Sequence, residues 1–470
     1  MKVKIYHPGI QLANISILIV LVCIAISLWD TLKSDWAVTI SYLTIPLMVY
    51  QFSMLFFCHF GIYNFFSWFI PFNYLFLFGR VFLIALGYKN ELFWSTIRNY
   101  SDLACLRAGL FCLCYLQILF ISLMTMKNNS AEVCHKNPIR TSYDFNVGIN
   151  GLILFVVTMP FKIYTDRLQI QAQQSAGQYV VLGDVDAVTA TLAMLPVVGV
   201  IMYIFSNKAS KVKKISLIVI YHLYASIEVL FAGDRRQFVI SIIVCILALC
   251  YYYHVKISWK MLLGALLVGV IGLFALAAIR EGRLNVIYSF GDFVEVFNKS
   301  MQNNIIYETM SEFGLTFYSV VATIEFYPSR FSFTSGWLYI AMFVIIIPGV
   351  SSKIPQMHDA LMVSKYCKSV YNHGLGGSIP QDLYSSFSVF GLVGAIPFTI
   401  IMTKILTIKA DYNEWKQARY FILFYGCLNL VRCGIAEITR LLAYAFIIIW
   451  IINIIVKLFR QKFQPMNIAG

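Results

Sequence analysis

The sequence predicts an all-α fold: a polytopic transmembrane bundle of about fourteen helices (12–14), forming a single integral membrane domain over 1–470. Three observations predict it. Sixty per cent of the 470 residues are hydrophobic and 12% are charged, with a mean hydropathy of +0.75. A soluble fold of this length has too little interior to hide so much apolar surface. The apolar residues also come in blocks of 17 to 23, the length a helix needs to cross a hydrocarbon core about 30 Å thick at about 1.5 Å per residue. The alternating segments of about ten residues that mark a transmembrane barrel are absent.

Blocks bounded by charges set spans near 10–29, 37–58, 65–87, 104–126, 147–164, 186–206, 215–233, 237–254, 261–279, 305–327, 333–349, 386–408, 416–436 and 440–457. The pair between 305 and 349 also fits a re-entrant pair. The stretch after Lys2 and Lys4 is too long for the apolar core of a cleavable signal and lacks a small-residue cleavage site, so it reads as the first span. Two connections are long, near 280–304 and 350–385. Eleven cysteines are scattered, mostly within apolar blocks and without C-x-x-C or finger spacing, and read as small buried hydrophobes. There is no internal repeat of the kind many transporters carry.

Lysine sets the orientation. Lys208, Lys211, Lys213 and Lys214 share one short loop, which should stay cytoplasmic. Counting outward from it puts both termini in the cytoplasm and the two long loops outside. Fifteen of 22 lysines then lie nearer the inside. Arginine does the reverse. Only Arg140, Arg330, Arg419 and Arg460 lie inside, while Arg80, Arg98, Arg107, Arg167, Arg235, Arg236, Arg280, Arg283, Arg432 and Arg440 lie outside. The guanidinium is a permanent, planar cation suited to phosphate or carboxylate. An outward excess against the usual tendency therefore points to anion binding at the outer face. The bland alternative is pairing with lipid phosphate or with local acids such as Asp102 and Asp166.

Specific segments sharpen this. FAGDRRQF holds Arg235 and Arg236 in a tight turn at the membrane surface. AIREGR sets Arg280 and Arg283 three apart, on one face of a continued helix. VRCGIAEITR carries Arg432, Glu437 and Arg440, the last two spaced for an ion pair. Candidate general bases are Glu312, His358, Asp382 and His373, in that order. The run His373–Ser378 is rich in glycine and could form a nest of N–H groups for an anion, or a plain turn. Asp184 and Asp186 form a D-x-D that could hold a metal, but their place before an apolar block reads as a helix cap. No other metal constellation exists, so no metal and no cofactor are expected. The intramembrane charges Arg80 and Glu228 should face the bundle interior.

Five segments together carry a family resemblance: FAGDRRQF, AIREGR, ETMSEFGLTFYSVVATIEFYP, SGWLYIAMFVIIIPG and, above all, GLGGSIPQDLYSSFSVFGLVGA. The chain resembles the O-antigen polymerase (Wzy) family of bacterial surface-polysaccharide synthesis, over roughly its C-terminal half. Phe387 and Ser388 depart from the Asn-Phe-Gly common there. The resemblance implies an enzyme of the bacterial inner membrane with a periplasmic active face. It would join polyprenyl-diphosphate-linked oligosaccharide repeat units by metal-independent glycosyl transfer, making O-antigen, capsule or a related polymer. Arg235, Arg236, Arg280 and Arg283 would hold the diphosphates, with Arg432 and Arg440 as further anion contacts. Expected partners are the lipid-linked oligosaccharide and membrane lipid, with a chain-length regulator and a flippase as candidates, and no nucleic acid. The rival readings are a ligase for the same lipid-linked glycan and a flippase or transporter of it.

Overall fold

A computed structural model of the chain describes residues 8–88, 100–126, 146–176, 186–231, 235–255, 291, 310–311, 313–350, 353, 376–407 and 413–463. Among the described residues there are helices and turns and no strand. In chain order the helices are α1 (Pro8–Leu28), α2 (Trp36–Phe57), α3 (Phe66–Ala85), α4 (Asp102–Met126), α5 (Val147–Ala176), α6 (Ala187–Leu192), α7 (Pro196–Ile204), α8 (Lys211–Phe231), α9 (Arg235–Tyr252), α10 (Phe317–Phe326), α11 (Trp337–Val344), α12 (Ile379–Phe387), α13 (Ala395–Ile405), α14 (Glu414–Leu428) and α15 (Ile435–Phe463).

Eight stretches among the described residues are long and apolar enough to cross a membrane. They are α1 to α4, Val147–Gln171 of α5, the broken stretches Ala187–Ile204 and Ile379–Ile405, and Ile435–Phe459 of α15. Helices α8, α9 and α14 occupy the spans expected near 215–233, 237–254 and 416–436. The span expected near 261–279 lies outside the described residues. Prolines 46, 71 and 160 sit inside α2, α3 and α5, as membrane helices tolerate.

The chain groups into two compact units. The first comprises Met1–Ala131, Ile306–Thr407 and Cys427–Thr439, and the second Glu132–Ile305, Ile408–Gly426 and Arg440–Gly470.

In the first unit the helices are inverted relative to those of a soluble protein. Helix α1 exposes Leu12, Ile15, Ile19 and Ile26 and buries Gln11 and Asn14. Helix α2 exposes Tyr42, Ile45, Val49 and Phe56 and buries Ser41, Thr44 and Gln51. Apolar residues outside and amides inside are what hydrocarbon selects, since polar groups there need partners on neighbouring helices. Those partners form a chain. The Tyr74 hydroxyl donates to Gln51 Oε1 (3.1 Å), Gln51 Nε2 to Gln117 Oε1 (3.0 Å) and Gln117 Nε2 to the Asn14 carbonyl (2.8 Å). Tyr50 donates to Asn14 Oδ1 (2.8 Å). Helices α1 to α4 are thereby tied at mid-depth, with α4 buried along most of its length.

One end of this unit is well defined. Trp36, the first residue of α2, donates from Nε1 to Asp102, the first residue of α4 (3.1 Å). Arg107 pairs with Asp30 and donates from Nε to the Trp29 carbonyl (2.8 Å). This is the end the sequence reading places outside.

The 305–349 region differs from a pair of full spans. A 3-10 turn at Gly314–Thr316 and α10 together cover 13 residues, and α11 covers eight. At about 1.5 Å per residue these described elements by themselves are shorter than a core of about 30 Å, with Met310, Ser311 and Phe313 helical as well. Glu325, near the end of α10, accepts from the Ser101 hydroxyl just before α4 (2.6 Å). The Thr334 amide donates to the Ser385 carbonyl (2.9 Å), and Phe333 packs on Tyr384, which packs on Phe111 of α4. The turn between α10 and α11, with Arg330, therefore lies at the same end as Asp30 and Arg107. Counting two full spans puts Arg330 at the opposite end.

In the second unit α5 carries a buried ion pair, Lys162 Nζ to Asp166 Oδ2 at 3.2 Å, with Tyr224 of α8 donating to the same oxygen (2.9 Å). His222 of α8 meets Ser241 of α9 (3.2 Å). Phe205 stacks on Phe421 of α14. Asp186 caps α6, accepting from Val188 N (2.9 Å) and Thr189 N (3.0 Å), which is the capping role its sequence position suggests.

Candidate functional site

The first unit gathers its buried polar groups around the start of α12. That helix begins at Ser378, whose backbone is extended (φ −161°, ψ 155°) and whose Oγ accepts from Gln381 N (3.3 Å). Ser378 with Pro380 in the first turn is a strong helix start. Asp382 therefore falls one turn into α12 rather than in a loop. It is 8% exposed. Its Oδ2 accepts from Ile435 N at 2.7 Å. Ile435 opens α15, so the carboxylate lies at the positive end of that helix dipole. Asp382 Oδ1 makes no hydrogen bond to a described residue.

The turn before α15 is held by the glycine loop. Gly377 N donates to the Arg432 carbonyl (3.0 Å). A Cβ on Gly377 would stand 2.3 Å from Gly434 N and 2.9 Å from the Cys433 carbonyl carbon. Gly377 is thus glycine because two main chains meet there, and its N–H is already used. That amide is no member of an anion nest. The arginine on this turn, Arg432, is half-buried, and its guanidinium pairs with no described residue. A cation without a partner among the described residues thus stands two residues from Gly434, which itself borders the Asp382 carboxylate.

Two elements support the α12 cap. Ser319 of α10 lies 3.2 Å from Ser378, oxygen to oxygen. Arg80 of α3 is buried, as expected for an intramembrane charge; its Nε donates to the Ser311 carbonyl (2.7 Å) and Oγ (3.1 Å), and its guanidinium lies 5.6 Å from the Tyr318 ring centre. An arginine at the centre of a membrane helix costs about 2.5–3.5 kcal/mol on insertion scales, a cost these contacts offset.

Of the residues singled out from sequence, Asp382 and Arg432 lie on neighbouring segments: the Asp382 carboxylate borders Gly434, and the Arg432 side chain lies beside Gly376. Arg440 lies in the second unit, where its Nε donates to Thr191 Oγ1 (2.9 Å). Glu312, His358, His373, Arg280 and Arg283 lie outside the described residues, as do the side chains of Arg235, Arg236 and Glu228. Arg107 is taken up by Asp30. Among the described residues no group of three or more His, Cys, Asp or Glu is placed to hold a metal ion. Ser378, Ser319 and the Ile435 amide were not foreseen. The Ser378–Ile379–Pro380–Gln381 spacing, a capping signature, was the available signal for the first.

Several helices long and apolar enough to cross a membrane define a multi-pass membrane protein, with a buried carboxylate beside a turn whose arginine pairs with no described residue. Comparison with protein families makes this specific: the model for O-antigen polysaccharide polymerase Wzy matches residues 12–462. The chain belongs to that family. Membership carries polymerisation of O-antigen repeat units, a glycosyltransferase-like reaction on lipid-linked oligosaccharide within a membrane. No curated protein and no solved structure matches the chain.

Proposed function

We propose that the chain polymerises polyprenyl-diphosphate-linked repeat units on the periplasmic side of the bacterial inner membrane, with the Asp382–Arg432 centre at the reacting bond. The supporting observation is that the turn bearing Arg432 adjoins the Asp382 carboxylate. Asp382 keeps one oxygen on the Ile435 amide and the other free of described partners, while a guanidinium that pairs with no described residue stands on the adjoining turn.

In this reading an acceptor sugar hydroxyl attacks the anomeric carbon of the donor chain. Its proton passes to Asp382 Oδ1, the new glycosidic bond forms, and the bond from that carbon to the diphosphate oxygen breaks. Negative charge gathers on the departing polyprenyl diphosphate. A fixed cation in a water-poor site stabilises that charge best, which is the role of Arg432. Arg235, Arg236, Arg280 and Arg283 would supply the remaining diphosphate contacts, and Arg440 a further one. The reaction needs no metal.

The test is complementation of a polymerase-deficient strain, read as a surface-glycan ladder, followed by purified protein in proteoliposomes with a lipid-linked repeat unit and chelator. Asp382→Asn should leave single-repeat glycan at unchanged membrane abundance. Arg432→Ala should slow polymerisation at least tenfold. A normal ladder from Asp382→Asn would return the base assignment to Glu312, His358 or His373. A strict need for added divalent metal would end the metal-independent scheme. Normal ladders with lost transfer to the lipid A core would make the protein a ligase.

A further inference from the structure

We propose that Arg80 is a positioning residue for polymerisation: it locks the segment 310–319 onto α3, and that segment in turn fixes the cap of the helix carrying Asp382. The proposal deepens the reading above and rests on Asp382 acting at the reacting bond.

The contacts form a continuous path within the first unit. Arg80 grips one residue twice, through the Ser311 carbonyl (2.7 Å) and hydroxyl (3.1 Å), and lies over Tyr318 two turns further on. The main chains cross without intervening side chains. A Cβ on Gly79 would stand 2.9 Å from the Met310 carbonyl oxygen, and one on Gly314 2.3 Å from Arg80 N. The crossing sets the distance between α3 and the segment; the guanidinium sets its register. Both bonds share the Arg80 Nε–H, a donor held rigidly in the guanidinium plane that a lysine ammonium at the end of a flexible stem does not reproduce.

The next link is a pair of hydroxyls with an assignable direction. Ser319 donates its one proton to the Thr316 carbonyl (2.8 Å). In the Ser319–Ser378 contact at 3.2 Å the donor is therefore Ser378. Ser378 Oγ also accepts from Gln381 N, and its carbonyl accepts from Asp382 N (3.0 Å). Where α10 sits thus decides where Ser378 sits, and Ser378 starts the turn that carries Asp382. None of these groups needs to touch substrate.

Steady-state polymerisation by purified protein in proteoliposomes, with the lipid-linked repeat unit as substrate, tests this. Arg80→Met should lower kcat about 100-fold, the effect of a misplacement of about 1 Å, with KM within about threefold. Arg80→Lys should not restore kcat. Ser378→Ala should give the same signature at about tenfold, and the double variant should be no slower than Arg80→Met alone. Unchanged kcat in Arg80→Met overturns the proposal. So does a rise in KM with kcat retained, which would make Arg80 a substrate contact. Should Arg80→Met fail to reach the membrane, Ser378→Ala decides, since it removes a single hydroxyl; unchanged kcat there overturns the link. Asp382→Asn in the same assay separates the two ideas. If it is active, the Asp382 reading fails whatever Arg80 shows; if it is dead while Arg80→Met is normal, only the Arg80 proposal fails.

Discussion

Gly377→Ala is the sharpest perturbation the first unit offers. The added Cβ would stand 2.3 Å from Gly434 N, 2.9 Å from the Cys433 carbonyl carbon and 2.9 Å from Gly434 Cα. All three are main-chain atoms, so no side chain can swing away. Ordinary contact begins near 3.4 Å, so the glycine loop and the Arg432–Gly434 turn must part by about 1 Å. Overpacking of this kind costs about 1–3 kcal/mol, which a membrane protein of this size survives. The geometric consequence is larger, because the turn that moves carries Arg432 and borders Asp382. A displacement of about 1 Å can cost about 100-fold in rate. Gly377→Ala should therefore accumulate normally in the membrane, yet complement a polymerase-deficient strain with single-repeat glycan and little or no ladder. Gly61→Ala, where a Cβ meets nothing within 4 Å, should give a full ladder. Equal ladders from the two variants would refute the claim that the close approach of these main chains organises the site.

Three further outcomes are expected. Gln117→Leu removes two links of the amide chain, to Gln51 and to the Asn14 carbonyl, and should lower stability by about 1–2 kcal/mol, read as a lower thermal midpoint in detergent. Arg107→Ala breaks a solvent-exposed pair with Asp30, worth at most about 1 kcal/mol, and should leave the ladder intact; a lost ladder would return Arg107 to the substrate-binding cations. Asp186→Ala should destabilise by about 1 kcal/mol through loss of the α6 cap, while Asp186→Asn, an equally good cap, should not; equal midpoints for the two variants would count against the capping role.

The membrane character and most helices could be read from hydropathy, because hydrocarbon thickness imposes a length that sequence displays directly. The interior face of each helix was harder to read. Gln51, Gln117 and Asn14 are scattered polar letters in apolar blocks until the helices are assembled around them. In the 305–349 region only the contacts of Glu325 and Thr334 place the turn after α10 at the end of Asp102, and a hydropathy count carries no such contact. Asp382 and Arg432 were legible as residue types, the first in a glycine-rich stretch and the second as a cation near an outer boundary. The approach of their two segments was not, since it depends on the Gly377 amide finding the Arg432 carbonyl 55 positions away in sequence. Arg80 was legible as a costly charge facing inward, while its partner, the main chain at Ser311, carries no side-chain signature that a sequence could advertise.

The amide chain through Asn14, Gln51, Tyr74 and Gln117 has a consequence for biogenesis. Its members enter the bilayer in sequence order, and Gln117 comes last. Until that residue arrives, the first three helices are joined only by Tyr74 on Gln51 and Tyr50 on Asn14. Insertion of α4 closes the circuit and commits the group to one arrangement. A nascent chain halted before residue 117 should thus remain exchangeable within the membrane, and one halted just after α4 should already resist extraction.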